Sequence, residues 1–241
     1  MTMSATGLVE QLRKAGNPEQ GRQTARFFKP HRDRVGNDWK HLGVRMPVLR
    51  QTARQSIGLP LKEAERLLCS EFHEGRILAL LILVEKFQQG GEKTRQSVAK
   101  LYLRRTRDIS SWALVDCSAH LIMGPWLEHG NRKILDRLAR SDNLWERRIA
   151  MITTFHFIRR NDFDDALRIA GILENDSEDL IHKAVGWMLR EVGNRSRQAE
   201  EVFLRKHYNT MPRTMLRYAI EKFPESLRRK YLAGTVHQLN G

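Results

Sequence analysis

Five segments of one helix type come back along the chain at nearly constant spacing, and this repeat restricts the fold more than any other feature. Each has a polar or basic start, a small alanine and then apolar residues: Arg76-Ile77-Leu78-Ala79, Ser110-Ser111-Trp112-Ala113, Arg147-Arg148-Ile149-Ala150, His182-Lys183-Ala184 and Leu216-Arg217-Tyr218-Ala219. The alanines are separated by 34, 37, 34 and 35 residues. That is the length of one helical hairpin, so the pattern reads as stacked helix pairs, each burying its apolar face on the next. The Trp/Tyr/Pro pattern of tetratricopeptide repeats is missing, which leaves HEAT-like pairs.

Strand signals are nearly absent, with no Asn-Gly or Asp-Gly hairpin between apolar runs. Breakers at Gly58 to Pro60, Gly90-Gly91, Ser110-Ser111, Gly124-Pro125, Gly193-Asn194 and Met211-Pro212 cut the chain into segments of ordinary helix length. About a dozen helices follow. No stretch looks like an interdomain linker, so one domain is expected over residues 1–241.

Lys and Arg number 42 against 28 Asp and Glu, a formal net charge of +14. The excess runs from Arg13 to Lys230 rather than sitting in a tail, which predicts a folded basic surface facing a polyanion, nucleic acid first. The expected architecture is therefore all-α, an α-solenoid of HEAT-like repeats with a basic concave groove. Cys69 and Cys117 lie 48 residues apart with no CxxC or Cys/His cluster, and both read as small buried apolar residues. The most apolar run, Ile77 to Val84, is far too short to span a bilayer, and the N-terminus lacks a secretory pattern. A cytoplasmic, reduced, monomeric protein is expected. There is no P-loop, no strand-linked GxGxxG, no Gly-x-Ser-x-Gly elbow and no zinc-deaminase pattern.

Counted from each anchoring alanine, offset −1 holds Trp112, Ile149 and Lys183, offset +3 holds Asp116, Thr153 and Trp187, and offset +6 holds Ala119, His156 and Arg190. Steps of four and three residues share a helical face, so tryptophan, carboxylate and arginine are predicted to line one groove. Trp112 precedes Asp116, Trp145 precedes Arg148 and Trp187 precedes Arg190 by about one turn. Trp145 is equally readable as packing for the start of its helix, and His156 as a partly buried helix histidine. Asp116 falls between Val115 and Cys117, beyond a helix start already capped by Ser110-Ser111. A carboxylate so placed in a basic groove is either paired with arginine or acts on a cationic species. Cleavage of an N-glycosidic bond builds positive charge on the sugar, which a fixed carboxylate stabilises while orienting water. Tryptophan faces suit an apolar sugar and a cationic base. Arg148 and Arg190 suit phosphates, and Arg213 and Arg217 read either as phosphate contacts or as solvated helix charge.

At these positions the chain resembles the AlkD-like DNA alkylation repair family. The central motifs are Ser111-Trp112-x-x-Val115-Asp116, Ser141-Asp142-Asn143-x-Trp145-x-x-Arg148 and Lys183-Ala184-x-Gly186-Trp187-x-Leu189-Arg190-Glu191. Gly43-Val44-Arg45-Met46-Pro47-x-Leu49-Arg50 and Pro212-Arg213-Thr214-Met215-Leu216-Arg217-Tyr218-Ala219 resemble its flanking signatures. The resemblance covers roughly residues 5 to 235. It implies a right-handed superhelix of HEAT-like repeats and an alkylpurine (DNA-3-methyladenine type) DNA glycosylase that excises cationic N3- and N7-alkylated purines from double-stranded DNA. Neither metal nor organic cofactor is implied, nor a pocket that buries a flipped base. Asp116 takes the place of the catalytic carboxylate, Trp112 and Trp187 contact sugar and backbone, and Arg148 and Arg190 hold phosphates, with Lys183, Arg45, Arg213 and Arg217 as further DNA contacts. The N-terminal match departs in an insertion around Asn37 to His41, in Phe27 where a hydroxylated aromatic is usual, and in Arg45 where a neutral polar residue is usual. Two other readings stay open on the residues alone: a non-catalytic DNA-binding or damage-sensing protein, and a protein-interaction scaffold.

Overall fold

The computed structural model describes residues 3–27 and 39–236, with Phe27 described as backbone only. The departure at Phe27, as a side chain, and residues 37 and 38 of the inserted segment therefore lie outside the described residues. The chain forms two compact units, Met1–Ser118 and Ala119–Gly241. Among the described residues the N-terminal unit contains α1 (Ala5–Ala15), α2 (Pro18–Phe27), α3 (Met46–Gln55), α4 (Leu61–Leu68), α5 (His73–Gln89), α6 (Glu92–Arg104) and α7 (Trp112–Asp116). The C-terminal unit contains α8 (Ala119–Leu127), α9 (Lys133–Ala139), α10 (Leu144–Thr153), α11 (Phe155–Ile158), α12 (Asp164–Leu173), α13 (Asp179–Gly193), α14 (Arg197–His207), α15 (Arg213–Ala219) and α16 (Glu225–Ala233). Single 3-10 turns occupy Thr106–Asp108 and Ile220–Lys222, and the described residues hold no strand, only an isolated bridge between Lys40 and Phe72.

The all-α repeat expectation is met. In the N-terminal unit α3, α4, α6 and α7 all pack on α5. The apolar run Ile77 to Val84 is buried throughout, so α5 is a central helix apolar on every side. Leu78, Leu80, Ile82 and Leu83 are each 0% exposed. Each such side chain contributes about 1.5–3 kcal/mol by leaving water. In the C-terminal unit the repeating helices α10, α13 and α15 pack in succession, α9 and α12 back them, and α14 packs on α13. Ala79, Ala150, Ala184 and Ala219 are fully buried, since a methyl group lets the next helix approach. Ala113, on the short α7, is only half-buried.

The basic starts of the repeat have a structural task. Arg76 Nε donates to the Ser70 carbonyl at 2.7 Å, and Arg147 Nη1 to the Ser141 carbonyl at 2.9 Å. His182 Nε2 lies 2.5 Å from the Asp176 carbonyl, so all three close onto the chain six residues upstream. Each satisfies a carbonyl in the turn that enters its helix. Arg147 also holds Asp176 at 2.6 Å.

Sixteen α-helices among the described residues exceed the dozen expected, and two of the unforeseen breaks fall at Cys117-Ser118 and at Thr154. Around Cys117-Ser118 the Ser118 hydroxyl donates to the Leu114 carbonyl at 2.6 Å. Around Thr154 the Thr153 and Thr154 hydroxyls donate to the Ile149 and Met151 carbonyls, both at 2.7 Å. Such back-bonding competes with the helical ladder. Conversely, Gly124-Pro125 does not stop a helix but lies inside α8, near its last turn. Cys69 also departs from expectation: it is exposed at the C-cap of α4, because Leu67 and Leu68 already fill the core there.

Candidate functional site

In the N-terminal unit the central feature is α7, five residues long and carrying Trp112 and Asp116 at its two ends. A helix this short has no stability of its own in water. Ser111 caps it as expected, its Oγ accepting from Leu114 N–H at 3.3 Å. His73 Nε2 lies 3.1 Å from the same Oγ. At the other end Ser118 spends its proton on Leu114, so the Tyr102 hydroxyl donates to Ser118 Oγ at 2.9 Å. Leu114 and Val115 are fully buried, which leaves Trp112 and Asp116 half-exposed on the other side. Burial, reinforced by the Asp116 carboxylate, pushes the neighbouring Cys117 thiol up to about 12. That thiol is protonated at neutral pH and supplies no nucleophile.

The segment before α3 is built around Gly43, whose φ of 75° suits glycine. Its N–H and that of Leu42 donate to the buried Glu74 carboxylate at 2.8 and 3.0 Å. Arg45 follows as the exposed N-cap of α3, its Nε reaching Gln20 Oε1 at 3.4 Å. Arg50, also exposed on α3, lowers the Cys117 thiol pKa through its charge and therefore acts on the surroundings of Asp116. The motif reading quoted Arg50 without giving it a role. Its spacing of one helical turn from Arg54 is the signal the sequence held.

In the C-terminal unit Trp187 is half-exposed on α13, its Nε1 donating to Glu191 Oε1 at 3.0 Å. Phe155 stands beside it with ring centroids 6.0 Å apart, and His120 meets Phe155 edge-on at 5.4 Å. Sequence reasoning missed Phe155, which lies just past the break at Thr154 and outside every offset counted from the alanines. Arg190 is ion-paired with Glu221, and Lys183 with Asp179 at 2.7 Å. Burial works against it, but the Lys183 and Thr214 hydrogen bonds hold the Asp179 carboxyl below its usual range. Arg213 and Arg217 are exposed on α15, with Arg213 Nη1 donating to the Leu232 carbonyl at 2.9 Å.

Three site expectations need correction. Arg148 is only 5% exposed, and its Nη1 donates to the Leu180 carbonyl at 2.5 Å, so its guanidinium is turned into the unit. Ile149 and Thr153 are fully buried and add nothing to a surface. The +6 offset does not continue the face, because the breaks at Ser118 and Thr154 put Ala119 in α8 and His156 in α11; Arg190 alone stays on its repeat helix. Trp145 is buried at the start of α10, where Asn143 Oδ1 caps its N–H at 2.9 Å, which is its packing reading. His156 is buried 3.1 Å from Glu128, and burial holds its pKa below the usual value against that hydrogen bond. Among the described residues no group of three His, Cys, Asp or Glu is placed to hold a metal ion. Nor is any described helix long and apolar enough to cross a membrane.

Repeating helices that carry tryptophan beside a carboxylate in one unit and beside arginine in the other define a helical-repeat protein with charged, aromatic faces. The family model described as DNA alkylation repair enzyme matches residues 8–223, and the chain belongs to that family, with a role in DNA repair. A solved structure from Enterococcus faecalis, described as a predicted DNA alkylation repair enzyme, is similar in fold with a TM-score of 0.67 and 17% identity. It covers 87% of this chain and 97% of its own. No match was found among curated proteins.

Proposed function

We propose that the protein is a DNA glycosylase that excises cationic N3- and N7-alkylated purines from double-stranded DNA. The observation that carries this reading is Asp116, an exposed-side carboxylate on a five-residue helix held by buried hydrogen bonds at both ends, one turn from Trp112. A carboxylate fixed in advance does not reorganise when charge develops, which is the condition for electrostatic catalysis. An alkylated purine already bears the positive charge a leaving base needs. The C1′–N bond breaks with its electron pair going to the purine, which departs neutral. Asp116 stabilises the oxocarbenium left on the sugar and orients the water that adds to C1′, whose surplus proton passes to bulk solvent. Trp112 and Trp187 pack on sugar and backbone. The reaction calls for no metal or organic cofactor.

The same reading has the repeat helices build a superhelix with a basic DNA-facing surface. Phosphate contacts fall to Arg45, Lys183, Arg190, Arg213 and Arg217, with Lys183 and Arg190 exchanging their carboxylate partners for phosphate. Arg148, turned inward, fixes α10 against α13. Five phosphate contacts predict a slope of about −4.5 for the logarithm of duplex affinity against that of salt concentration. A protein-interaction scaffold would bind duplex weakly and lack this dependence.

The direct test is incubation with duplex DNA carrying N7- or N3-methylpurines, followed by detection of free base. Asp116→Asn is expected to abolish release and to spare affinity for undamaged duplex. An Asp116→Asn protein that still released base would sink the assignment, and a wild-type protein that bound duplex without releasing base would favour the damage-sensing reading.

A further inference from the structure

His73 and Glu74, the first two residues of α5, are polar groups at 1% and 3% exposure in an otherwise apolar core. Burial pushes the His73 pKa down to about 3, so the imidazole is neutral at physiological pH. Packing alone does not call for either residue, since both must be hydrogen-bonded to be tolerated there. Each reaches a different segment. Glu74 holds the Leu42 and Gly43 amides, and the His73 N–H donates to the Lys40 carbonyl at 3.0 Å. The His73 ring is stacked on Trp39 with centroids 5.1 Å apart and meets His41 at 5.1 Å. Its Nε2 reaches Ser111 Oγ, the atom that caps α7.

A helix advances 100° per residue, so a five-residue helix that slips by one residue turns its functional side chain away. The α7 ladder is short, five helical residues with Val115 N–H to the Ser111 carbonyl at 3.1 Å at one end and Cys117 N–H to the Ala113 carbonyl at 3.2 Å at the other. Its registration has to come from outside. We infer that His73 is a positioning residue for Asp116: it fixes Ser111, which fixes the start of α7 and thereby the directions of Trp112 and Asp116. Glu74 couples the same point of α5 to the segment leading into Arg45. The part of this concerning catalysis rests on the reading of Asp116 as the catalytic carboxylate. The part concerning the anchoring of α7 does not.

The test uses the full chain and two readouts. Amide exchange at Leu114 and Val115 reports the anchoring, and single-turnover release of N7-methylguanine from duplex reports the chemistry. His73→Phe keeps a ring but has no polar atom for Ser111. It is expected to speed exchange at Leu114 and Val115 at least ~10-fold, to leave α13 exchange unchanged, and to lower base release ~10- to 100-fold with duplex affinity within about twofold. His73→Gln, whose terminal amide falls near the place of Nε2, is expected to restore both readouts to within about threefold. His73→Asn is too short to reach Ser111 and should behave like His73→Phe, which covers the case of a poorly folding phenylalanine variant. A generally destabilised core would speed exchange across the unit and would not be rescued by glutamine. Unchanged exchange at Leu114 and Val115 in His73→Phe overturns the inference whether or not the wild type releases base. Fast exchange with unchanged release overturns the link to Asp116. A wild type that releases no base defeats the proposed function and leaves exchange to decide the anchoring.

Discussion

α7 and α13 carry the same kind of pair, a tryptophan one turn from an ionisable residue, and hold it by opposite means. α13 runs for fifteen residues, and Ile181, Ala184, Val185, Met188, Leu189 and Val192 bury one continuous face against its neighbours. Its own apolar stripe sets its rotation, so Trp187 and Arg190 are aimed by the helix they belong to. α7 buries two residues, Leu114 and Val115, and takes its position from Ser111, His73, Ser118 and Tyr102. One tryptophan is aimed by packing and the other by a few buried hydrogen bonds. Packing is distributed and tolerates loss, whereas a hydrogen-bonded mount fails at single atoms. Under the proposed function the carboxylate needs the more exact aim, and its helix has the second kind of mount.

The contrast can be broken hardest at the chemistry. Asp116→Asn is expected to abolish detectable base release, a loss of at least about 10²–10³ in rate, the scale of losing one preorganised electrostatic group. The matching change on α13, Glu191→Gln, leaves an acceptor for Trp187 Nε1 and should alter the rate less than about threefold. Release assays on both variants, side by side, check the asymmetry. Next in size is a change aimed at packing. A Cβ at Gly186 would stand 2.5 Å from both the Met215 carbonyl and Tyr218 Cβ, so α15 approaches α13 only because residue 186 is glycine. Gly186→Val is expected to cost about 1–3 kcal/mol by overpacking. Denaturant unfolding would show it, with local exchange at α13 and α15 rising while α7 exchange is unchanged. Ser111→Ala is smaller still, about 1 kcal/mol as the loss of an N-cap, and should raise exchange at Leu114 and Val115 while leaving α13 alone.

The same difference explains what the sequence could and could not disclose. The recurring alanines and the stripe of α13, ended by Gly193-Asn194, are local patterns, and the structure reproduces both. Ser111 as the cap of α7 was equally local. The breaks at Ser118 and Thr154 were not legible, because a hydroxyl turned back onto a helix carbonyl accompanies a break there but not at Thr24 or Ser97, which lie inside α2 and α6. Arg148 misled for a related reason: arginine one turn from tryptophan looks the same whether it meets a phosphate or the carbonyl of Leu180. His73 was one of nine scattered histidines. Its partner lies 38 residues away, and only the fold brings the two together. What remained hidden was long-range and polar.

The pH dependence of the two units sharpens the comparison further, with the smallest effect per step. In the N-terminal unit His73, facing His41 and Arg76, titrates at about 3 when folded, well below an ordinary histidine, chiefly through burial. Between about 3 and 6.5 the unfolded chain binds the proton and the folded one does not, so stability is complete above about 6.5 and drains away as pH falls. In the C-terminal unit Glu200 on α14 is 2% exposed, and burial lifts its pKa to about 8, with Glu201 adding to the rise and Arg197 and Arg190 opposing it. Between about 4.5 and 8 the folded chain keeps a proton that the unfolded chain has released, so this contribution is complete below about 4.5 and drains away as pH rises. One group can change stability by no more than about 1.4 kcal/mol per pH unit, and partial protonation keeps the observed slope under that ceiling. Amide exchange followed from pH 5 to 8.5, corrected for intrinsic rates, should therefore show protection rising with pH in α5 and falling with pH in α14. His73→Gln is expected to flatten the first slope and Glu200→Gln the second, each without touching the other. Parallel slopes in the two units would mean that neither buried group governs its surroundings. A Glu200→Gln protein that kept its slope would show that Glu200 does not govern the pH dependence of α14.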